Sequence, residues 1–349
     1  MKEILVVDDN SAVLKQISTI LSGHYDYSLA RSGEQALKYC GRERPDLVLL
    51  DIEMPGMDGF ECLRRLKQNP GFVRVPVIFL TSKHDRETEI KGLRSGARDF
   101  IRKPAEKKIL LHRLEMHLSI AEYQGRLAES VVLMSNILGV SVAELIECRD
   151  ENTGGHVIRT SRYMDILGQD LLERGVFEYE LNERNLDLFV RASPLHDIGK
   201  ISISDKILLK KGKLDFEEFN IMKGHAAIGA NILEHMYKRT PTQDYLKYAV
   251  LIAASHHERY DGKGYPYLLK GEDIPLCGRI MAVADVYDAI VANRVYREGM
   301  SHEEAARIIF EGEGTQFDPL VVESFARSEG RFSEISSRLH QKNAERAAG

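Results

Sequence analysis

Residues 47–59 read LVLLDIEMPGMDG. Leu47 to Leu50 is an unbroken apolar run with no polar alternation, the composition of a central strand covered on both faces, and Asp51 ends it. Working outward, the same grammar recurs through the first third of the chain. Ile4 to Val7, Tyr27 to Ala30, Val75 to Leu80 and Asp99 to Arg102 read as further strands. Helix-period stretches separate them near Ser11 to Leu21, Gly33 to Cys40, Gly59 to Gln68 and Arg86 to Ser95. Strict strand–helix alternation predicts a doubly wound α/β domain with a five-stranded parallel sheet.

After Pro104 the pattern is helical only. Lys107 to Glu147 carries Leu110, Leu111, Leu114, Leu118, Leu127, Val131, Met134 and Leu138 at helical spacing without a proline. This predicts a helix or helix pair bridging two domains. Its apolar face is either core against the sheet or a seam between two copies, the seam being favoured over Tyr123 to Leu138. Further helical segments are expected near Thr160 to Arg174, Asn185 to His196, Phe216 to Tyr237, Asp244 to Ser255, Gly278 to Ala292 and His302 to Phe310. The reading is therefore multidomain: an α/β domain over 1–120, a helical linker over 121–140, an all-α domain over 141–330 and a tail over 331–349.

Composition supports this division. A chain of 349 residues holds about two domains at roughly 150 residues each. With 43% hydrophobic and 29% charged residues it has the balance of a folded protein. No stretch approaches the roughly 20 apolar residues of a membrane span, and Met1 leads into Lys2-Glu3 rather than a signal peptide. A soluble, cytoplasmic protein is expected. Cys40, Cys62, Cys148 and Cys277 form no CxxC pair, which argues against a disulfide framework or a thiolate zinc site. The net charge of -5 is uneven: Met1 to Ile120 has 20 Lys/Arg against 17 Asp/Glu, the remainder 28 against 36. An acidic second half argues against DNA and suits cations.

In a doubly wound sheet, ligands bind beyond the carboxyl ends of the strands. Asp8 and Asp9 follow the first strand, Asp51 ends the third, Thr81 the fourth, and Lys103 follows the fifth. Three carboxylates there suit Mg²⁺, with one free to take a phosphoryl group whose oxygens Lys103 and Thr81 would bind. The segments VVDDN (6–10), LLDIEMPGMDG (49–59), FLTS (79–82) and DFIRKP (99–104) resemble the receiver domain of two-component response regulators. The resemblance implies phosphorylation of Asp51 by a histidine kinase and Mg²⁺ held by Asp8, Asp9, Asp51 and the Glu53 backbone. It also implies a cis Lys103-Pro104 bond and a switch pair of Thr81 and Phe100.

The second half holds a different set. Of twelve histidines, five lie in tight polar motifs: His156 in NTGGH, His196 in LHDIGK, His225 in KGHAAIG, and His256 and His257 in SHHERYDGKGYP. Asp197 and Asp285 accompany them. Imidazole and carboxylate without thiolate suit Fe, Mn, Zn, Co or Ni, and a carboxylate shared by two ions would bridge a dinuclear site for phosphodiester hydrolysis.

RDENTGGH, LHDIGKI, ILLKKGKLDFEEF, HHERYDGKGYP, ADVYDAIVANRVYR and GTQFDP resemble the HD-GYP subgroup of the HD phosphohydrolases, from about Ser141 to Phe325. The resemblance implies hydrolysis of cyclic di-GMP to linear pGpG, with GMP as a possible further product. It implies His156, His196, Asp197, His225, His256, His257 and Asp285 as ligands of two divalent ions, Fe first and Mn, Ni or Zn as alternatives. Asp197 and Lys200 would serve catalysis, Lys200 on a phosphate oxygen. Gly264, Tyr265, Arg294 and Arg297 would contact substrate, the arginines roughly three turns down the helix from Asp285, and Asp288 would orient a ligand. Some relatives carry a Glu four residues before the first histidine and bind three metals. Here that residue is Asn152, so two ions are expected unless Glu151 is recruited. The 262–266 loop is linked in the family to diguanylate cyclase (GGDEF) domains. A homodimer through the first domain and linker is expected. The other functions weighed are a non-catalytic adaptor that binds cyclic di-GMP or a protein, and a hydrolase of another cyclic dinucleotide.

Overall fold

The computed structural model describes residues 1–82, 90–92, 94–150, 155–240, 243–292 and 299–348, leaving aside the side chains of Asp150 and of 339–348. The chain forms two compact units, Met1–Val132 and Leu133–Gly349.

In the first unit, β1 (Glu3–Val7), β2 (Asp26–Ala30), β3 (Leu47–Asp51), β4 (Val77–Thr81) and β5 (Asp99–Arg102) form one parallel sheet in the order β2-β1-β3-β4-β5. The period-2 alternation of strands sorts their side chains into two cores. Leu5, Val7, Val48, Leu50 and Phe79 face α2 (Gly33–Cys40) and α3 (Gly59–Gln68). Ile4, Val6, Leu47, Leu49 and Ile78 face α1 (Ser11–Leu21) and the start of α4 (Lys107–Glu147). Side-chain oxygens of Asn10, Ser32 and Asp58 accept backbone N–H groups at the starts of α1, α2 and α3. The expected fourth strand starts two residues late, at Val77. Pro76 has no N–H to give a ladder, and Val75 donates instead to Phe72 O in the preceding turn. Of the expected helix Arg86 to Ser95, residues 86–89 and 93 lie outside the described residues, and 90–92 and 94 are helical.

Helix α4 runs unbroken through the segment read as a separate linker. Leu110, Leu114 and Leu118 are buried in the sheet unit, each stabilising it by about 2 kcal/mol, and Ile146 belongs to the core of the second unit. Between them Tyr123, Leu127, Val131, Met134 and Leu138 are exposed. By length and composition this helix is apolar enough to cross a membrane, which corrects the expectation that no stretch comes near a span.

The second unit is helical: α5 (His156–Glu173), α6 (Glu183–Ala192), α7 (Asp205–Leu208), α8 (Phe216–Arg239), α9 (Asp244–Ser255), α10 (Leu276–Val291), α11 (His302–Glu311) and α12 (Pro319–Ala348). Helix α10 is buried along most of its length and forms the centre of this core. Two expectations change. Helix α6 stops at Ala192, before a 3-10 turn containing Pro194, instead of reaching His196. The residues after 330 are not a tail: α12 continues through them. Phe332 is fully buried, stacked on Tyr163 with ring centroids 4.4 Å apart. The helical spacing of Val321, Val322, Phe325 and Phe332 carried that signal.

Candidate functional site

The first unit gathers its polar residues where the strands end. Asp8 follows β1, Asp51 closes β3 and Lys103 follows β5. Lys103 Nζ lies 2.6 Å from Asp8 Oδ2 and 2.8 Å from Asp51 Oδ2. Asp8, Asp9 and Asp51 offer oxygens close enough to hold one ion. Asp9, Asp51, Glu53 and Lys103 line an open cleft. Burial pushes the Asp51 carboxyl up, with Asp8 adding to the shift and Lys103 opposing it. Thr81 is buried at the end of β4, and Lys103 N–H donates to its carbonyl at 2.9 Å. Phe100 is buried with its ring 5.7 Å from that of Phe79, and the Lys103-Pro104 peptide is cis.

In the second unit, elements far apart in sequence bring six ligand-type residues around Asp197. His156 opens α5. His196 and Asp197 sit between two 3-10 turns, Ser193–Leu195 and Ile198–Ser202. His225 lies on α8, His256 and His257 follow α9, and Asp285 lies on α10. Gly199 makes this assembly possible, since a Cβ there would stand 1.9 Å from His225 O and 2.6 Å from Gly229 N. Only glycine lets the turn approach α8 so closely.

The ligand atoms fall into two groups, His156, His196 and Asp285, and His225, His256, His257 and Asp197. Asp197 faces both. Its Oδ1 lies 3.1 Å from His225 Nε2 and 3.7 Å from His256 Nε2, while Oδ2 lies 3.4 Å from His196 Nε2. Lys200 Nζ contacts the same Oδ2 at 2.8 Å, so the lysine expected on phosphate is here paired with the shared carboxylate. Asp285 Oδ1 is 3.4 Å from His156 Nε2 and 3.8 Å from His196 Nε2.

Hydrogen bonding fixes which imidazole nitrogens face the centre. Nδ1 of His196 donates to Ser193 O at 2.9 Å, that of His225 to Met222 O at 2.7 Å, and that of His256 to Ile252 O at 3.0 Å. A carbonyl can only accept, so each Nδ1 carries the proton and each Nε2 of a neutral ring is a bare lone pair. His156 Nδ1 likewise donates to Asp288 Oδ2 at 2.8 Å. Nε2 of His156 therefore faces that of His196 at 3.4 Å, and His225 faces His256 at 3.5 Å. Facing lone pairs at these distances repel unless a proton or a metal ion stands between them. Asp197 Oδ1 is buried and has no aligned hydrogen-bond donor. The residues fit metal ions.

The electrostatics point the same way. Burial alone would lower His196, but Asp197 and Asp285 outweigh it and carry the ring up to about 9. The cluster draws positive charge. Burial, with His256 and His225 adding to it, holds His257 well below its ordinary value, and burial also lowers His256. Both stay neutral, as metal-ligating imidazole must.

The surroundings were only partly anticipated. Asp288 does orient a ring, that of His156. The sequence reading missed Arg159, which grips Asp288 with Nε at 2.7 Å and a terminal nitrogen at 2.9 Å. Its position three residues after His156, on the same helix face, was an available signal. It also missed buried Glu258, which accepts Tyr267 N–H at 2.6 Å and Leu269 N–H at 3.1 Å and so ties down the 262–266 loop. At Gly264 a Cβ would collide with the Glu258 and Arg259 backbone. The Tyr265 ring stands 4.8 Å from that of His257, centroid to centroid. Arg294 and Arg297 lie outside the described residues. The helix expected to carry them ends at Val291, where Ala292 turns extended.

Residues 4–115 match the response regulator receiver domain and residues 143–321 the HD domain. The chain is 42% identical to a probable cyclic di-GMP phosphodiesterase of Vibrio cholerae, over 96% of this chain and 80% of that one. The chain belongs to the family of response regulators that join a receiver to an HD domain. It is 34% identical to the cyclic di-GMP phosphodiesterase response regulator RpfG of Xanthomonas campestris, covering 98% of this chain and 91% of that one. A 3'3'-cGAMP-specific phosphodiesterase of Vibrio cholerae shares 39% identity over 59% of this chain and 37% of its own length.

Proposed function

We propose that this protein is a phosphorylation-controlled phosphodiesterase that hydrolyses cyclic di-GMP to linear pGpG, with GMP as the product of a second cleavage. The observation that carries the reading is Asp197, one oxygen toward His225 and His256 and the other toward His196. In this reading His156, His196 and Asp285 hold one ion, His225, His256 and His257 a second, and Asp197 belongs to both. Two divalent ions, iron first and manganese, nickel or zinc with the same donors, would activate water and neutralise the phosphate.

The chain's own residues supply the rest. Asp288 and the three carbonyls keep Nδ1 protonated and Nε2 free to bind on His156, His196, His225 and His256. Once Asp197 is committed to the ions, Lys200 is the cation within reach of a non-bridging phosphate oxygen. Tyr265 offers a ring for a guanine to stack on, and Gly264 lets the backbone come close to it. Arg294 and Arg297 are assigned to phosphate and guanine.

The receiver supplies control. A histidine kinase phosphorylates Asp51, with Mg²⁺ on Asp8, Asp9, Asp51 and the Glu53 carbonyl. Lys103 and Thr81 take the phosphoryl oxygens, and Thr81 and Phe100 reorient together. Tyr123, Leu127, Val131, Met134 and Leu138 follow a near-heptad spacing on exposed α4, which suits a seam with a second copy. This favours a homodimer over a membrane span, because Glu122, Arg126 and Glu129 share the segment. The protein is then cytoplasmic, and the 262–266 loop is the surface offered to a GGDEF domain.

The test is loss of cyclic di-GMP with anaerobically prepared protein of known iron or manganese content. Asp197→Ala is expected to lose turnover, by more than the roughly 100-fold typical of an outer partner of a metal. Beryllofluoride on Asp51 should change the rate. Binding without consumption at full occupancy would favour the adaptor. Preference for 3'3'-cGAMP in direct competition would move the substrate to a mixed cyclic dinucleotide, the reading that the 39% identical relative supports.

A further inference from the structure

Glu147, the last residue of α4, is only 8% exposed, and neither carboxylate oxygen has a hydrogen-bond partner among the described residues. Buried carboxylates without partners are destabilising, so one that persists calls for a source of compensating charge. Its electrostatic neighbours are the side chains of His156, Arg159 and His196, none of them hydrogen-bonded to it, and the Val157 backbone N–H. Each of the three side chains is engaged elsewhere. Arg159 and His156 Nδ1 are on Asp288, and His196 Nδ1 is on Ser193 O.

Between Glu147 and the ligand residues lies a cavity of about 20 Å³. Its polar wall is made by Glu147, His156, His196, Asp197 and Lys200, and the remainder is apolar. Such a volume holds one water, and the wall offers it polar partners. Glu147 is not among the residues whose ligand atoms converge. It therefore stands one step behind them.

We infer that Glu147 is a positioning residue of the metal centre, acting through a single water in this cavity. The water donates one hydrogen bond to the Glu147 carboxylate and turns its oxygen to the ion held by His156, His196 and Asp285. The positive charge of that ion compensates the buried carboxylate. The carboxylate in turn orients the water and strengthens its bond to the ion. This inference rests on the metal-centre reading above.

The test is a Mn²⁺ titration of the full-length protein by calorimetry, with the melting temperature of the metal-free form alongside. Glu147→Gln is expected to bind the same number of equivalents, one of them about 10- to 100-fold more weakly. Metal-free Glu147→Gln is expected to melt higher than metal-free wild type, because an uncompensated buried charge is gone. A role in packing alone would not move these two readouts in opposite directions. Glu147→Asp keeps the charge but withdraws it by a methylene, and should fall between the two. It carries the affinity comparison if the Gln variant does not fold. Equal affinities in variant and wild type would overturn the inference, and a lost equivalent would make Glu147 a direct ligand instead. A wild type that binds no Mn²⁺ would defeat the metal-centre reading itself.

Discussion

The receiver cleft and the helical centre both collect carboxylates where a cation can sit, yet they balance charge by different means. In the cleft, Lys103 reaches both Asp8 and Asp51 and supplies the positive charge from within the chain. In the helical centre, imidazole Nε2 atoms face each other at 3.4 and 3.5 Å, and Lys200 pairs with Asp197. The first arrangement carries a counter-charge of its own and suits an ion that comes and goes with a phosphoryl group. The second leaves Asp197 Oδ1 buried without an aligned donor and suits resident ions. A lysine that reaches two of the three carboxylates makes the difference.

Removing metal should therefore separate the two units most. Chelation is expected to destabilise the helical unit by about 4 kcal/mol relative to protein at a thousandfold excess of free metal over Kd. Hydrogen exchange resolved along the chain would read this as faster exchange in α5, α8, α9 and α10, with the receiver strands unchanged. Equal loosening of both units would break the comparison.

A smaller effect is expected at Asp288, whose carboxyl is held below its ordinary value. Burial opposes that shift, and the hydrogen bonds from His156 and Arg159 outweigh it. Asp288→Asn leaves His156 without its charged partner and should weaken metal binding by roughly 10- to 100-fold. Manganese titration would measure it, and unchanged affinity would show that the His156 ring is held by packing alone.

The smallest effect belongs to the receiver. Burial raises Asp51 above its ordinary value, so the folded state holds that proton more tightly than the unfolded chain. The stability tied to this group is present below the unfolded value near 4 and lost as pH rises through the folded value. At neutral pH the charge is a penalty. Asp51→Asn should relieve it, stabilising the receiver by about 1 kcal/mol. The gain over wild type, read from melting curves, should shrink as pH falls toward 4. A gain that grows on acidification would mean Lys103 more than neutralises the cleft.

Much of the site was readable because its residues occur at recognisable stations. Asp8, Asp51, Thr81 and Lys103 were placed by strand ends, and parallel strands necessarily bring those ends to one edge. The motif histidines stood out because each lies beside Gly, Asp or another His instead of on an amphipathic stripe. Glu147, Arg159 and Glu258 were missed for the opposite reason. Each sits in an ordinary helical or loop context, and only burial without a partner, or a partner far along the chain, reveals its part. The C-terminal helix went unread because the recognisable motifs end at the FDP segment, although Phe325 and Phe332 continue the apolar spacing.

The sequence by itself determined the alternation of strands and helices, the all-helical second half, and a chemistry of imidazole and carboxylate without thiolate. These are set by local periodicity and residue type, which neighbouring residues express without help. Only the tertiary structure decided that Asp197 divides its oxygens between two groups, that α4 is one helix, and that carbonyls and Asp288 set the tautomers. His156 and Asp288 are 132 residues apart, and His156 and His196 are 40 apart. Such pairings follow from packing several helices around one buried helix, α10, and from a glycine turn that can touch α8. No local spacing encodes which distant side chain that packing will bring into reach.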